Sequence, residues 1–398
     1  MKHKEVRSDN QLTPQEWRTS GVLSGVYALR MLGLFLVLPV LALHAAALAG
    51  SDQSMWIGWI MGAYGLTQAC LQLPFGMLSD KIGRKKTIYI GMLIFVVGSF
   101  LAAIAETLWV LMLARALQGA GAISAVITAM MADLIREQVR TRAMAMVGMS
   151  IGLTFAGSLV AAPLLSGLIG VEGLFVLTGV AMLAAMYAVH RFVPDPEQVT
   201  VRNRLPALQI GLQPQLWRLN FGIFALHAGQ MSLFICLPFL LLQMGWAQEE
   251  QWKVYAPMVL FGMFLMVPII MFGEKKRQLK PTLLLAIGMM IVAQGVLAWQ
   301  SVGTIVLMTA LVLYAIAFNV LEAILPSMVA KFAPPEQRGA AMGFYSTAQS
   351  LGIFVGGLVG GLLLSQMGLS GVFIFATVLM LAWWAIAYTG QAPQVRQA

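Results

Sequence analysis

Four ionisable side chains lie deep inside long apolar stretches of the sequence. They are Arg30, Arg115, His227 and Glu322. If such a stretch crosses a bilayer, a charged side chain at its centre costs about 2.5–3.5 kcal/mol on insertion scales. A residue placed at that cost indicates a buried partner, a proton-transfer step or a contact with a substrate.

Glu322 is the acidic residue best suited to proton exchange. No other Asp or Glu lies well inside an apolar stretch, and Asn319 lies one turn earlier on the same helical face. Removal from water favours the neutral form of a carboxyl group, and histidine exchanges protons near neutral pH unaided. We therefore predict that Glu322 and Asn319, together with His227, form a proton-coupling or substrate site. In the alternative, Glu322 only neutralises a buried cation and His227 is a core histidine with satisfied hydrogen bonds.

The two buried arginines have more than one role open to them. Arg30 either holds an anionic part of a substrate or balances the charge of Glu322. Arg115 lies three residues before Gln118 on the same predicted helix, so their side chains are neighbours. For Arg115 we expect a coupling or hydrogen-bonding role with Gln118 rather than direct contact with a substrate.

The composition indicates that most of the surface faces lipid. Of the 398 residues, 59% are apolar and 10% are charged, and the mean hydropathy is +0.82. A soluble domain carries roughly 25% charged residues. Uncharged runs of about 18 residues or more recur along the whole chain, as transmembrane helices require. Residues 1–19 are polar and lack an apolar core, so no cleavable signal peptide is expected.

The apolar runs predict an all-α membrane protein with twelve transmembrane helices in two six-helix bundles. The predicted spans are 20–43, 55–78, 87–106, 107–132, 143–168, 172–193, 218–243, 255–273, 281–300, 303–330, 341–366 and 370–390. They divide the chain into a tail at 1–19, a first bundle at 20–193, a linker at 194–217, a second bundle at 218–390 and a tail at 391–398. The sequence ends just after span twelve, so we expect no soluble domain beyond it.

The two halves of the chain repeat each other. The sequence L-F-L-V-L-P ending at Pro39 recurs as L-F-I-C-L-P ending at Pro238. R-T-R-A-M at 140–144 is similarly echoed by R-G-A-A-M at 338–342. Two repeated six-helix halves are typical of secondary transporters. In these proteins the substrate path runs between the halves near the bilayer midplane.

The basic residues are concentrated on one side of the predicted membrane. They follow spans two, four, eight and ten and bracket the linker, whereas the opposite loops contain Lys253 as their single cation. The positive-inside rule then places both termini in the cytoplasm of a cell inner membrane. The net charge of +9 is explained in this way, so no nucleic-acid partner is expected.

The loop after span two carries a motif that topogenic cations alone do not explain. It reads G-M-L-S-D-K-I-G-R-K-K-T-I over residues 76–88. Gly76 allows a close helix approach and Gly83 permits a sharp turn. Asp80 can accept hydrogen bonds at a helix N-terminus, and the fork of donors on Arg84 suits a carboxylate such as Asp133, at the end of span four. In the alternative, these cations only set the orientation of the chain.

This loop resembles the signature of the major facilitator superfamily, and the chain as a whole resembles its twelve-helix drug:proton antiporter branch. Span four matches a second motif of that family at Arg115, Gln118 and Gly119. Span five matches a third only in outline, through Pro163 and Gly167, with Ala162 where the family has glycine. The resemblance implies that Asp80, Arg84 and Asp133 form a conformational latch that locks the two halves together when the cavity faces outward.

The expected function is secondary active transport by alternating access. We expect proton-coupled efflux of small amphipathic or drug-like compounds by a monomer in the lipid bilayer, with transport of a sugar or organic acid as the alternative. A membrane sensor or enzyme is a further alternative, and no catalytic residue is assigned.

The chain has no G-x-x-x-x-G-K-[ST] sequence, which excludes a self-contained ATP-driven pump. We expect no cofactor apart from the proton as coupling ion, and no metal site, because Cys70 and Cys236 lack metal-ligand spacing.

Overall fold

The computed structural model describes residues 11–49, 54–196, 213–275, 278–299, 303–334 and 337–391. The start of the predicted N-terminal tail, most of the linker and most of the C-terminal tail lie outside these residues. Throughout the described part the regular structure is helical. The first half contains α1 (Pro14–Phe35), α2 (Leu38–Ala49), α3 (Ser54–Ile82), α4 (Arg84–Ala103), α5 (Leu108–Ala120), α6 (Ser124–Leu134) and α7 (Glu137–Phe192). The second half contains α8 (Pro214–Gln243), a 3-10 turn (Gln248–Glu250), α9 (Trp252–Lys275), α10 (Leu279–Ala298), α11 (Thr304–Phe332) and α12 (Arg338–Tyr388).

These helices make up twelve membrane spans. Span one consists of α1 and α2, and span four consists of α5 and α6. The 56-residue α7 and the 51-residue α12 are each two spans, because their backbones turn at Gly170 (φ 71°) and Gly368 (φ 66°). Both angles lie in the left-handed region, which favours glycine. Helix α3 has 29 residues and is span two, and the other five helices are one span each. The predicted fold class is confirmed.

Helices α1 and α7 begin furthest ahead of their predicted spans, each by six residues. Helix α1 begins at Pro14, within the predicted tail, because Thr13 and Glu16 form a capping box around that proline. Helix α7 begins at Glu137 rather than at 143, so Arg140 lies on span five and not in a loop. Apolar runs locate the lipid-facing part of a helix but not the polar turns that extend it into the headgroup region.

We call the side of the molecule that carries Lys81, Arg84, Arg136, Lys275 and Arg338 the basic side. The halves pack closely on the opposite side, through spans two and eleven. A Cβ atom on Gly58 would lie 2.5 Å from the carbonyl oxygen of Gly357, and one on Gly65 would lie 2.6 Å from that of Ser350. Towards the basic side the same two helices separate. A Cβ atom would meet open space at Gly76, Gly339 and Gly343.

Span five contacts the second half in the same uneven way. The ring of Phe155 lies 4.9 Å from that of Phe35 in its own half, and 6.4 Å and 5.7 Å from Phe234 and Phe318 across the interface. Nearer the basic side, a Cβ atom on Gly148 would meet nothing within 4 Å. The two halves therefore enclose a space that is closed on the opposite side and open towards the basic side.

Candidate functional site

The loop after span two forms the charge cluster that its sequence predicts. Arg84 donates from Nη1 to Oδ1 of Asp80 at 2.5 Å and from Nε to Oδ2 of Asp133 at 2.9 Å. Nη1 also donates to Oγ of Ser79 at 2.6 Å. All three charged side chains are more than three-quarters buried, so the surrounding water screens their attraction only in part. The cluster ties spans two, three and four together within the first half.

Two glycines shape this cluster in different ways. Gly83 has φ 100° and separates α3 from α4, so that Arg84 is the first residue of span three. Only glycine adopts that angle without strain, and the turn aims the guanidinium back at Asp80. A Cβ atom added at Gly76 would meet nothing within 4 Å. The role of the cluster as a latch between the halves stays a prediction.

Glu16 forms a second ion pair close to this cluster, which the sequence did not reveal. Its Oε1 accepts from Nε of Arg136 at 2.9 Å and from the backbone N–H of Arg136 at 3.2 Å. These donors hold the pKa of Glu16 at about 2, below its ordinary value, although burial acts in the other direction. Arg140 donates to the carbonyl of Ala132 at 2.8 Å. The turn between spans four and five is therefore fixed by Arg84 on one side and Glu16 on the other.

Arg30 is fully buried in the first half, where it finds neutral acceptors. Its Nε donates to the carbonyl of Gly121 at 3.0 Å and its Nη1 to Oγ of Ser124 at 2.6 Å. Gly121 lies in the break between α5 and α6, where the backbone leaves the helical pattern. The third nitrogen, Nη2, is buried without a hydrogen-bond partner. Within the described residues Arg30 forms no ion pair, so it does not balance Glu322 through a direct contact in this state.

Arg115 and Gln118 are hydrogen-bonded to each other, in the geometry expected for residues three apart. Nη1 of Arg115 donates to Oε1 of Gln118 at 2.7 Å and to the carbonyl of Gly33 at 3.2 Å. Nε2 of Gln118 donates in turn to Oγ of Ser99 at 2.9 Å, which joins spans one, three and four. A Cβ atom on Gly119 would collide with span two, so glycine is required there.

The ring of Tyr64 lies between the two buried arginines. The guanidinium carbon of Arg115 is 5.0 Å from the ring centroid and that of Arg30 is 5.8 Å away. Both distances are within the range of cation–π attraction. The aromatic face therefore stabilises two cations that have no carboxylate partner among the described residues, and it links spans one, two and four.

His227 and Glu322 meet in the second half. Nδ1 of His227 lies 3.2 Å from the carbonyl of Ile223, and Nε2 lies 2.8 Å from the amide nitrogen of Gln349. A carbonyl accepts and an amide N–H donates, so this geometry is that of a neutral imidazole with its hydrogen on Nδ1. Oε2 of Glu322 lies 3.9 Å from Nε2 and has no hydrogen-bond partner. The Glu322 side chain is 37% exposed, in contrast to that of His227 at 5%.

The remaining predicted residues do not join this pair. Nδ2 of Asn319 donates to the carbonyl of Ala315 at 2.8 Å, within its own helix. Pro163 lies near the opposite side of the membrane, where its carbonyl accepts from Ser166 at 3.0 Å. A Cβ atom on Gly167 would lie 2.8 Å from Cγ of Glu249 in the second half. The span-five motif thus contributes to the closed end of the interface rather than to the polar centre.

An apolar groove lies apart from these polar groups. It has a volume of about 470 Å³ between spans two and four, and its lining includes Trp59, Thr67 and Trp109. Trp109 is mostly exposed at the outer surface of the bundle. An apolar surface of this kind in a membrane protein suits lipid chains, so we place the functional site at the polar groups between the halves.

Comparison with known proteins decides the family. The family model described as the Major Facilitator Superfamily matches residues 23–321 and 279–397. The chain belongs to this superfamily. Its relatives are transporters, so it is a multi-pass membrane transporter and not an enzyme. The expected resemblance is confirmed at that level.

Two relatives and one solved structure show how far the similarity extends. The inner membrane transport protein YajR of Escherichia coli (strain K12) is 40% identical over 398 residues, which cover 97% of this chain and 86% of the relative. The multidrug resistance protein MdtH of Aeromonas hydrophila is 25% identical over 351 residues, which cover 86% of each chain. A crystal structure of a bacterial homolog of the human lysosomal transporter Spinster has a TM-score of 0.78 at 14% identity, with 95% of this chain and 97% of that chain covered. At that identity the likeness concerns the fold alone.

Proposed function

We propose that this transporter is a proton-coupled exporter of small amphipathic or drug-like compounds, acting as a monomer in the cell inner membrane. The asymmetry of Lys and Arg in the sequence supports a cytoplasmic basic side with both termini in the cytoplasm. The names of two relatives, an inner membrane transport protein and a multidrug resistance protein, agree with this assignment.

The observation that carries the proposal is the unpaired carboxylate of Glu322. Its Oε2 has no hydrogen-bond partner, yet the side chain as a whole is partly exposed. An unpaired carboxylate in a site of low dielectric is costly when it is ionised, and a bound proton removes that cost. A proton arriving from one side of the membrane and leaving to the other would therefore be carried most simply by this group.

Coupling then follows from alternating access. The proton-bound and proton-free forms of Glu322 favour different arrangements of the two halves, because only the neutral form tolerates a closed, water-free interface. In the state described here, the space between the halves opens towards the basic side, so Glu322 releases its proton to the cytoplasm and the site accepts a compound for export. Return of a proton from the other side completes the cycle.

Arg30 favours a second candidate, the transport of an organic acid. Its guanidinium is fully buried, forms no ion pair among the described residues and keeps one nitrogen without a partner. An anionic group on a substrate would supply the missing acceptor and the missing charge. Sugars, the other metabolite class that we considered, would use the same donors without the gain in charge balance.

Proteoliposomes separate these candidates. The purified protein would be reconstituted with a pH-sensitive dye inside, and compounds would be added in two panels, one of cationic or neutral drugs and one of organic acids and sugars. Proton movement driven by members of the drug panel supports export of drug-like compounds, and a response confined to the second panel supports the metabolite candidate. If no compound moves protons in wild-type vesicles whose protein is folded, the proposal of proton coupling is wrong.

A further inference from the structure

Gln349 connects the polar pair of the second half to the interface between the halves. It lies on span eleven, and its amide nitrogen is 2.8 Å from Nε2 of His227. The next residue, Ser350, is fully buried, and its carbonyl oxygen would lie 2.6 Å from a Cβ atom on Gly65 of the first half. We propose, on the basis of the proton coupling proposed above, that Gln349 positions His227 for proton exchange and relays the exchange to the contact between spans two and eleven.

Two side chains, those of Gln349 and Glu322, lie next to a single ring nitrogen of His227, Nε2. Nδ1 is occupied by the carbonyl of Ile223 at 3.2 Å, so the proton chemistry of the ring is confined to Nε2. Gln349 occupies Nε2 as a donor, while Oε2 of Glu322 lies 3.9 Å away without any partner. The neutral imidazole can accept only one good hydrogen bond at this nitrogen. Gln349 and Glu322 therefore compete for the same atom.

Uptake of one proton displaces the amide N–H of Gln349 from Nε2, whether His227 or Glu322 binds the proton. If it binds to Nε2, the ring nitrogen becomes a donor and can no longer accept from the amide of Gln349. If it binds to Glu322, the carboxyl O–H becomes a donor that can replace the amide N–H at Nε2. In the first case the amide must turn its oxygen towards the ring or move away, and in the second case the carboxyl O–H takes its place at Nε2; the proton returns to water when the pair releases it. The response of Gln349 thus does not depend on which of the two residues carries the proton.

The displacement acts at a close contact between the two halves. Beside the Gly65 and Ser350 contact, a Cβ atom on Gly62 would lie 2.9 Å from the carbonyl oxygen of Phe354, one turn further along span eleven. Backbones at this separation tolerate little change in the position of a helix. A side chain on the same turn as Ser350 is therefore well placed to convert a change in hydrogen bonding into a change in packing.

Few other titratable groups in the described part of the chain face the pair. Tyr345 of span eleven and Tyr27 of span one both interact electrostatically with Glu322. Span ten also presents Phe318, whose ring lies 5.9 Å from that of His227. Span twelve presents Met380 and Trp383 to this part of span seven, and neither residue titrates. The two tyrosine hydroxyls stay neutral over the physiological pH range, so a pH response here reports on His227 and Glu322.

The test follows the protonation of His227 directly. Three proteins labelled with 15N-histidine would be studied in nanodiscs: the wild type, Gln349→Met and Gln349→Glu. The resonances of the 4 histidines would be followed by NMR as the pH is changed. The resonance that is missing in His227→Gln identifies His227. Loss of the donor in Gln349→Met removes a hydrogen bond to the neutral ring, so we expect its protonation midpoint to move to higher pH by roughly half to one unit. Gln349→Glu adds an acceptor and a charge, so we expect a larger shift in the same direction.

The control is Leu351→Met, at an exposed position two residues away, which should leave the midpoint where it is in the wild type. An unchanged midpoint in both Gln349 variants would overturn the proposal. The transport assay tests the relay separately, since Gln349→Met should shift the pH profile of transport in parallel with the His227 midpoint. Because the spectroscopic experiment needs no substrate, a failure of the proposed transport function does not affect its result.

Discussion

Oε2 of Glu322 lies 3.9 Å from Nε2 of His227, close enough to attract an imidazolium ring and too far to hydrogen-bond a neutral one. Uptake of a proton by either residue would bring the two groups together. Release of the proton restores the separation seen here, with Gln349 bound to the ring in place of the carboxylate. The pair is thus set for a two-state response to a single proton.

The first prediction concerns the charge cluster at the loop after span two. Arg84→Ala removes three hydrogen bonds at once and leaves Asp80 and Asp133 without their shared cation. We expect transport to fall at least tenfold, while the yield and elution profile of the purified protein stay near those of the wild type. Asp80→Asn, which keeps the shape but removes a charge, should behave in the same way. Normal efflux by these variants at wild-type expression would show that the cluster only orients the chain.

The second prediction concerns Glu16 and its pH dependence. The pKa of Glu16 is held at about 2 in the folded protein, below the value of about 4.5 for a free carboxyl group. Its contribution to stability is therefore fully present above about pH 4.5 and is lost as the pH falls towards 2. We expect Glu16→Gln to lower Tm by roughly 1–3 °C near neutral pH, and the difference from wild type to shrink as the pH falls below about 4.5.

Thermal unfolding in detergent between pH 3 and 8 would measure this difference. Glu137→Gln is the matched control. Glu137 is the residue after Arg136, is exposed and makes no ion pair among the described residues. A difference between Glu16→Gln and wild type that is equally large at every pH would mean that the carboxylate charge of Glu16 is not its cause.

The third prediction uses the uneven packing of spans two and eleven. Gly58→Val places side-chain atoms against the backbone of Gly357, on the side that is closed here. We expect it to disfavour the state open to the basic side. Gly76→Val adds its side chain in open space, so it should leave this state intact and disfavour the reverse state, in which the basic ends would approach.

Spin labels placed on the exposed basic ends of spans two and eleven would report the separation of the halves. Relative to wild type, the distance distribution should move to shorter values in Gly58→Val and to longer values in Gly76→Val. The two variants act as controls for each other, since both replace a glycine of span two by valine. A shift of both in the same direction would contradict the structural account.

Part of this architecture follows from local sequence patterns. Long apolar runs predict the spans because a bilayer requires them, and the resemblance of the loop to the family signature predicts the cluster of Arg84 with Asp80, which the turn at Gly83 brings together. The hydrogen bond between Arg115 and Gln118 follows from helical spacing. These features are all set within one helix or one turn.

Other features depend on how distant helices pack, and the sequence does not contain that information locally. Asn319 shares a face with Glu322 in an ideal helix, but its amide bonds to the backbone of its own helix. The partners of Arg30 depend on a break in span four that no proline marks. Gln349 carries no motif, and its relation to His227 arises only when spans seven and eleven are brought together. A capping-box signal at Thr13 could have located the start of α1, but not the contact of Glu16 with Arg136.

The central claim is that Glu322 carries the coupled proton, and the variant Glu322→Gln tests it most directly. Glutamine keeps the size and polarity of the side chain but cannot release a proton at physiological pH. In proteoliposomes, this variant should still exchange labelled substrate across the membrane at equal pH, while accumulation driven by a pH gradient should be lost. Accumulation at the wild-type rate in Glu322→Gln would contradict the account.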